Sequence, residues 1–351
     1  MLMVAQKLAR DGKTVLVVSR KGEVGGAWRT VSLENGLEAE AACHLIEPIP
    51  NVYEVFEKYS GTKFVPQTPL PCRSLNAKWL LQYTGFVNRM LTYFSLLVAA
   101  VVCAFRWIIG KPDPMLDIKF AKAKMALDCT IAYFSGGGAV KVPQLGYAGL
   151  VERLHYVAKT AGVEFLEAEL KEIELEVEGE GMRLVCGETL VRCRHLEVTS
   201  SVLLQEQLGV LRPMQGMPVE RTSVFVKFSS WFIRRPFSYI TFSGKAPLKR
   251  MCVLDVPGSH VSDVYGLLEL PSGVLWKQSE AQVSEYLVKA GFLREEPIIE
   301  TLFERAEELA WTFASSGHCQ RDSDRVRYWN SRGNLADGIY RYRRFLSLDA
   351  A

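Results

Sequence analysis

The chain has 351 residues, of which 48% are hydrophobic, 23% charged and 11% aromatic. It is long and apolar enough to bury a sizeable core shared by two lobes, which excludes a disordered or collagen-like protein. Its 42 basic and 39 acidic residues leave a net charge of only +3, and no stretch combines clustered Lys and Arg with stacking aromatics. Nucleic acid is therefore disfavoured as a partner.

The first residues predict a helix, its cap and a strand. Val4 and Leu8 have helical spacing, and Gly12 stands where a helix would end. The run 13–18 is β-branched and apolar, as in a strand buried in a parallel sheet. A polar turn containing Gly25 and Gly26 follows, so the order of elements matches the second half of a nucleotide-binding βαβ unit.

This order resembles the FAD-binding module of the flavin amine oxidase superfamily, which includes protoporphyrinogen oxidase, phytoene desaturases and UDP-galactopyranose mutase. The resemblance implies that Gly25 and Gly26, followed by Arg29, let the backbone approach FAD closely. It also implies that Ser19 stands where the superfamily has an acidic ribose ligand. The chain begins inside the helix that a Gly-x-Gly-x-x-Gly loop would open, so we expect either an N-terminally truncated sequence or dinucleotide binding that is weakened or lost.

A second stretch of the resemblance covers residues 34–46, which are similar to the strand and turn beside the flavin. It makes His44 a weak catalytic candidate, and a hydrogen-bonded structural histidine is the alternative. The spacing of apolar residues over 51–59 predicts a short helix.

Residues 91–109 form an apolar stretch that is uncharged up to Arg106. This uncharged part is at or below the roughly 18–20 residues that a membrane-spanning helix needs. Three interpretations stay open: a buried or substrate-lining helix, an interfacial helix in peripheral contact with a membrane, and a true span.

The middle of the chain carries a glycine-rich turn, a P-x-x-G-Y sequence and an amphipathic helix over 136–157. This resembles the superfamily's P-x-x-G element and implies that Gly146 lies near the flavin; the Gly146-Tyr147 pair is similar to UDP-galactopyranose mutase in particular. A strand over 162–166, an antiparallel hairpin within 170–193 and a strand over 195–200 are predicted to follow.

Several strand-like runs between 220 and 271 predict an antiparallel substrate lobe, closed by helices near 280–290 and 300–311. Arg234 is a candidate contact for an anionic substrate, and a surface pair with Arg235 is the alternative.

The tail 331–342 is similar to the last flavin-contacting element of UDP-galactopyranose mutase-like proteins. The resemblance implies that Arg332 contacts phosphate or flavin, and that Tyr342 lines the substrate pocket and is a second weak catalytic candidate.

Eight cysteines occur without a C-x-x-C pair, which is typical of reduced thiols in a cytoplasmic protein. Cys186, Cys193 and His195 come nearest to a metal cluster, but their spacing fits no zinc pattern, so we interpret the two cysteines as core side chains and expect no metal.

The fold class predicted is α/β, with an FAD/NAD(P)-binding Rossmann-like domain (1–60, 136–205 and 325–351) interleaved with an α+β substrate domain (61–135 and 206–324). The function expected is that of an FAD-dependent oxidoreductase that transfers hydride from a small or lipophilic substrate. A UDP-galactopyranose mutase-like isomerase and a non-catalytic, membrane-associated relative are the alternatives, and the oligomeric state stays open.

Overall fold

We describe a computed structural model of the chain. It describes residues 2–19, 24–25, 28, 30–32, 38–40, 45–46, 48, 51–75, 79–82, 84–110, 127, 130–131, 139–168, 182–186, 188–198, 218–243, 245–254, 260–271, 273–297, 299–310, 326–328 and 346.

The N-terminal helix-glycine-strand unit is present as predicted. Helix α1 (Leu2–Arg10) is followed by Gly12, whose φ of 76° reverses the chain so that the Lys13 N–H donates to the Leu8 carbonyl at 3.0 Å. Strand β1 (Leu16–Ser19) then pairs in parallel with β8 (Glu164–Glu167). The predicted order of a capped helix followed by a strand in a parallel pair is therefore confirmed.

A second group of elements includes helix α4 (Gly146–Thr160), which contacts α1, α2 (Val52–Ser60) and β7 (Lys141–Pro143). Its other members are β2 (Thr30–Ser32), β3 (Glu38–Glu40) and β4 (Phe64–Pro66). Strands β2 and β3 form an antiparallel pair, and so do β4 and β7. Helix α4 buries Leu150 and Leu154 against α1 and α2, and the Gln6 side chain donates to the Leu154 carbonyl at 3.0 Å. The helix predicted after the P-x-x-G-Y sequence is thus the element that packs against both α1 and α2.

Two smaller strand pairs complete this part of the molecule. Strands β9 (Met182–Cys186) and β10 (Thr189–Cys193) form the predicted antiparallel hairpin, and β11 (Leu196–Val198) pairs in parallel with β17 (Val326–Tyr328). Cys186 is buried in a small apolar cluster against which Cys193 packs, as expected for core side chains. Within the described ranges, no group of three or more His, Cys, Asp or Glu side chains could hold a metal ion.

The largest element is a sheet of seven strands in the order β16-β12-β15-β14-β13-β5-β6. Its strands are β5 (Cys72–Leu75), β6 (Trp79–Gln82), β12 (Pro218–Ser229), β13 (Tyr239–Ser243), β14 (Arg250–Leu254), β15 (Asp263–Glu269) and β16 (Glu300–Ala310). The pairing of β13 with β5 is parallel and the other pairings are antiparallel. The mixed α/β architecture with a multi-strand sheet agrees with the predicted class, while the interleaved division into two domains stays a prediction.

Alternation along these strands gives the sheet two buried faces. One face carries Val224, Ile240 and Leu268 and packs against α5 (Trp276–Lys289), whose bounds include most of the helix predicted near 280–290. The opposite face carries Phe225, Tyr239 and Leu267 and packs against Ala39 of β3. Strand β3 therefore lies against the face of the sheet that is turned away from α5.

The helix predicted over 300–311 is wrong, because Glu300–Ala310 form β16 at the edge of the sheet. Glu, Arg, Leu and Ala dominate this run and favour helix locally. The strand is instead held by antiparallel pairing with β12 along its length, from Lys227–Glu300 to Pro218–Ala310. Tertiary pairing outweighs a local propensity of a few tenths of a kcal/mol per residue.

The apolar segment 91–109 lies in helix α3 (Phe86–Ile108). Many of its described apolar side chains are more than 40% exposed. The side of α3 that carries them is therefore not buried in the core. In the part of the chain that the structure describes, no helix is both long and apolar enough to cross a bilayer.

Candidate functional site

The glycine turn after β1 packs directly onto helix α4. Gly25 has a φ of 99°, and the Trp28 N–H donates to the Gly25 carbonyl at 3.1 Å, which closes a tight turn. A Cβ placed on Gly25 would lie 2.6 Å from the Val151 Cγ1 atom. The ring of Trp28 packs against Tyr147, one helical turn before Val151, with centroids 5.4 Å apart. Both the backbone conformation and the space therefore require glycine at position 25.

The N-terminus of α4 is capped by an acid from a distant strand. Glu40 of β3 accepts a hydrogen bond through its Oε1 from the Tyr147 N–H at 2.8 Å. The same oxygen lies 3.4 Å from the position of a Cβ on Gly146, which has a φ of 70°. A carboxylate next to the positive end of a helix dipole stabilises the helix. This end of α4 is therefore already neutralised by a side chain of the protein itself.

The position of Glu40 follows from the alternation of β3. Ala39 is 2% exposed and belongs to the apolar cluster on the sheet, whereas Glu40 is directed to the start of α4. Strand β3 therefore lies between the seven-stranded sheet and α4: Ala39 packs on the sheet and Glu40 bonds to the start of α4.

Tyr147 is a buried phenol that stays neutral. Its side chain is 5% exposed. Burial raises the pKa of Tyr147 far above its ordinary value, and the negative charge of Glu40 raises it further, while the backbone of Ile46 acts in the opposite direction. At any physiological pH this group can serve as a hydrogen-bonding and aromatic wall, but not as a tyrosinate base.

A second buried phenol joins the loop at 45–46 to strand β7. The Tyr53 hydroxyl donates to the Ile46 carbonyl and accepts from the Lys141 N–H, both at 3.0 Å. The Lys141 ammonium lies 5.5 Å from the centroid of the Tyr53 ring. Tyr53 therefore fixes the backbone on one side of Tyr147.

These groups form one constellation, which we call the α4 start: Gly25, Trp28, Glu40, Tyr53, Gly146 and Tyr147. It combines two neutral phenols, an indole, one carboxylate and a tight glycine turn. Tyr53 and Tyr147 are buried and Trp28 packs on Tyr147, so the set is an aromatic patch at the end of α4 that carries the Glu40 carboxylate. The charged member of the set is the Glu40 carboxylate, with the Lys141 ammonium beside Tyr53, so a phosphate at the start of α4 would meet a negative charge there.

The structure brings together two of the predicted cofactor residues, Gly25 and Gly146, at opposite ends of the first turn and a half of α4. Ser19 is half-buried at the carboxyl end of β1, where ligands bind in parallel α/β units. Arg234 is exposed, and its backbone N–H donates to the Phe292 carbonyl. Phe232, two residues earlier, packs on the α5 side of the sheet. Arg234 is therefore not brought to the α4 start. Gly26, Arg29, His44, Arg332 and Tyr342 lie outside the described residues, and their roles stay predictions.

Sequence reasoning missed Glu40 and Tyr53. The alternation Glu38-Ala39-Glu40 was a usable strand signal, but the partner of Glu40 lies 107 positions away at Tyr147. Tyr53 was predicted only as part of a helix, and both bonds of its hydroxyl are to distant backbone groups. No local pattern marks either contact.

Comparison with known proteins supports the fold. No protein-family model matches the chain, and no curated protein sequence matches it. An oxidoreductase from Methanosarcina mazei superimposes with a TM-score of 0.62 at 13% identity, covering 98% of this chain and 97% of that chain. Cyclohexylamine oxidase from Brevibacterium oxydans gives 0.62 at 14% identity, with 99% and 95% covered. Reduced UDP-galactopyranose mutase gives 0.60 at 10% identity, with 100% and 92% covered. At these identities the likeness establishes a shared fold, over nearly the whole length of each chain.

Proposed function

We propose that the chain, which has the fold of amine oxidases and of a sugar-nucleotide mutase, binds FAD noncovalently and is an oxidoreductase that acts on a small or lipophilic substrate. The observation that carries the proposal is the packing of the Gly25 turn, at the carboxyl end of β1, on the first turns of α4. The names of two solved structures with this fold, putrescine oxidase and cyclohexylamine oxidase, support the class of reaction.

We propose that the ring system of the flavin lies against the aromatic residues of the α4 start and that its diphosphate lies elsewhere. Glu40 already accepts the Tyr147 N–H, so a phosphate at this helix end would meet a negative charge. The oxidised flavin ring is uncharged and would meet no such penalty on binding, and Trp28, Tyr53 and Tyr147 make this end of α4 aromatic. In the proposal Ser19 lies on the adenosine-ribose side of FAD, Gly26 and Arg29 belong to the turn at which the backbone approaches the dinucleotide closely, and Gly146 and Arg332 make further cofactor contacts.

Bound FAD supplies a hydride acceptor, and the protein contributes orientation and a dry environment. In the proposal Glu40 and Tyr53 hold the backbone around Tyr147, whose neutral phenol borders the reacting ring. His44 and Tyr342 are proposed on the substrate side.

The first test is a titration of the purified protein with FAD, followed by absorbance. We expect an oxidised-flavin spectrum that co-elutes with the protein on gel filtration. Gly25→Ala should weaken FAD binding by at least about tenfold, because the turn must leave Val151 to make room for the methyl group. Gly162→Ala is the matched control, since Gly162 also has a positive φ, of 87°, but nothing lies within 4 Å of its Cβ position. A colourless protein that takes up no added FAD would overturn both the oxidoreductase proposal and the mutase alternative.

The second test separates oxidation from isomerisation. Anaerobic addition of primary amines of increasing length should bleach the bound flavin if the oxidoreductase proposal is right. The mutase alternative is favoured by the Gly146-Tyr147 pair at the start of α4. It requires that the reduced protein interconvert the two ring forms of UDP-galactose with no net oxidation, while amines leave the flavin spectrum unchanged.

A further inference from the structure

Helix α3 is attached to the protein through polar side chains. Asn88 and Arg89 are 5% and 7% exposed. The Arg73 Nη1 group donates to the Asn88 Oδ1 atom at 3.3 Å and to the Thr92 Oγ1 atom at 3.2 Å. Arg89 donates through Nη1 to the Thr130 hydroxyl at 3.1 Å. The first two turns of α3 therefore bury their hydrogen-bonding face, which is the reverse of an ordinary surface helix.

The other side of α3 exposes an apolar stripe. Phe94, Leu97, Val101, Phe105 and Ile108 are between 61% and 73% exposed, and their spacing of three or four residues places them on one face. More apolar side chains that are at least 40% exposed border this stripe: Phe86, Val87, Met90, Leu91, Val98, Val102 and Ile109. A continuous apolar surface of this size is unfavourable in water and marks a docking surface.

The charge of the surrounding chain indicates what covers the stripe. Residues 58–112 contain no Asp or Glu and seven basic residues, of which Arg73 and Arg89 make the polar contacts at the base of α3, while Lys58, Lys63 and Arg106 are exposed. A second copy of the chain would place two such positive segments against each other. An anionic lipid surface instead attracts the basic residues and accepts the apolar stripe into its acyl boundary.

We propose that α3 lies in the plane of an anionic membrane interface and docks the protein there through the stripe Phe94–Leu97–Val101–Phe105–Ile108. At about 1.5 Å per residue its 23 residues are roughly 35 Å long, enough to lie along the surface. Arg106 is exposed near its C-terminal end, where a long basic side chain can reach lipid head groups. Strand β6, which packs against α3, carries Trp79 with 69% exposure, and Trp is enriched at membrane interfaces. This inference does not rest on the proposed flavin chemistry.

The test is sedimentation of the full chain with vesicles. Vesicles of phosphatidylcholine with about a third phosphatidylserine should bind the protein, and pure phosphatidylcholine vesicles should bind it more weakly, with added salt reducing the difference. The double variant F94Q/F105Q should lower the partition coefficient by at least about tenfold, because each ring transfers its area into the interface. Both side chains are exposed, so thermal unfolding should stay unchanged.

The matched control is W231Q/V261Q, which removes two exposed apolar side chains on neighbouring loops joined by the Ser230 N–H to Ser262 carbonyl bond at 2.7 Å. This control should bind vesicles as the wild type does. Equal loss of binding in both double variants, or equal binding to neutral and anionic vesicles, would overturn the proposal. So would a lipid-independent dimer that F94Q/F105Q converts to monomer, because a second copy would then cover the stripe. Flavin content, measured in parallel, reports on the proposed function separately.

Discussion

Replacing Gly25 by Ala should destabilise the protein by about 2–5 kcal/mol. The first cost is the backbone, because a φ of 99° is outside the range that L-residues readily adopt, and such a conformation costs about 1–2 kcal/mol. The second is steric: the new Cβ would lie 2.6 Å from Val151 Cγ1 and 3.0 Å from Val151 Cγ2. Overpacking of this kind costs about 1–3 kcal/mol.

Urea denaturation of four variants separates the two costs. Gly162→Ala, with a similar φ and no neighbour within 4 Å, should show the backbone cost alone. Val151→Ala removes both clashing carbons, so G25A should cost less in that background than in the wild type, with a coupling energy of about 1–3 kcal/mol. If G25A and G162A are equally destabilising and the coupling is near zero, the Gly25 turn does not pack on α4 as described.

Three further results are expected. Glu40→Gln should lower the free energy of unfolding by about 0.5–1 kcal/mol in thermal or urea melts, because it removes the charge at the start of α4, whereas Glu38→Gln, at the exposed end of the same face of β3, should be neutral. Burial lowers the pKa of His155, so its unfolded state binds the proton more readily; the stability it contributes at neutral pH is lost as the pH falls through about 6.5, and urea melts across that range should show a shallower pH dependence in His155→Gln. Thr301→Val should cost about 1 kcal/mol and Thr301→Ser much less, because the hydroxyl accepts from the buried Trp276 indole N–H at 2.7 Å.

The elements that were predictable are those whose signals are local. Helix α1, its glycine cap and β1 follow from spacing, a residue that tolerates positive φ, and a β-branched run. The hairpin of β9 and β10 follows from alternation on both sides of a glycine. Each of these signals lies within about ten residues of the structure that it specifies.

Strand β16 shows why the rest was not predictable. Its register against β12 shifts by one residue between the pairs Val226–Thr301 and Phe225–Phe303, which leaves Leu302 as the extra residue of a bulge. Leu302 is nevertheless buried against the sheet, at 3% exposure. A bulge breaks the period of two by which a strand is recognised, and the remaining Glu, Arg and Ala residues favour helix. The pattern that would have identified the strand is therefore absent from the sequence.

The same division between local and distant signals governs the candidate site. Gly25 and Gly146 were predictable because a glycine marks a backbone conformation in its own neighbourhood. Glu40 was not, because a strand prediction defines two faces without saying what lies against either of them. Its carboxylate nevertheless decides what the start of α4 can bind, since a helix end that already holds a negative side chain will repel a phosphate and tolerate a neutral ring. The proposal that the flavin ring, and not the diphosphate, lies at the start of α4 therefore depends on a contact that the sequence could not supply, and Glu40→Gln should shift the preference of this helix end toward anions.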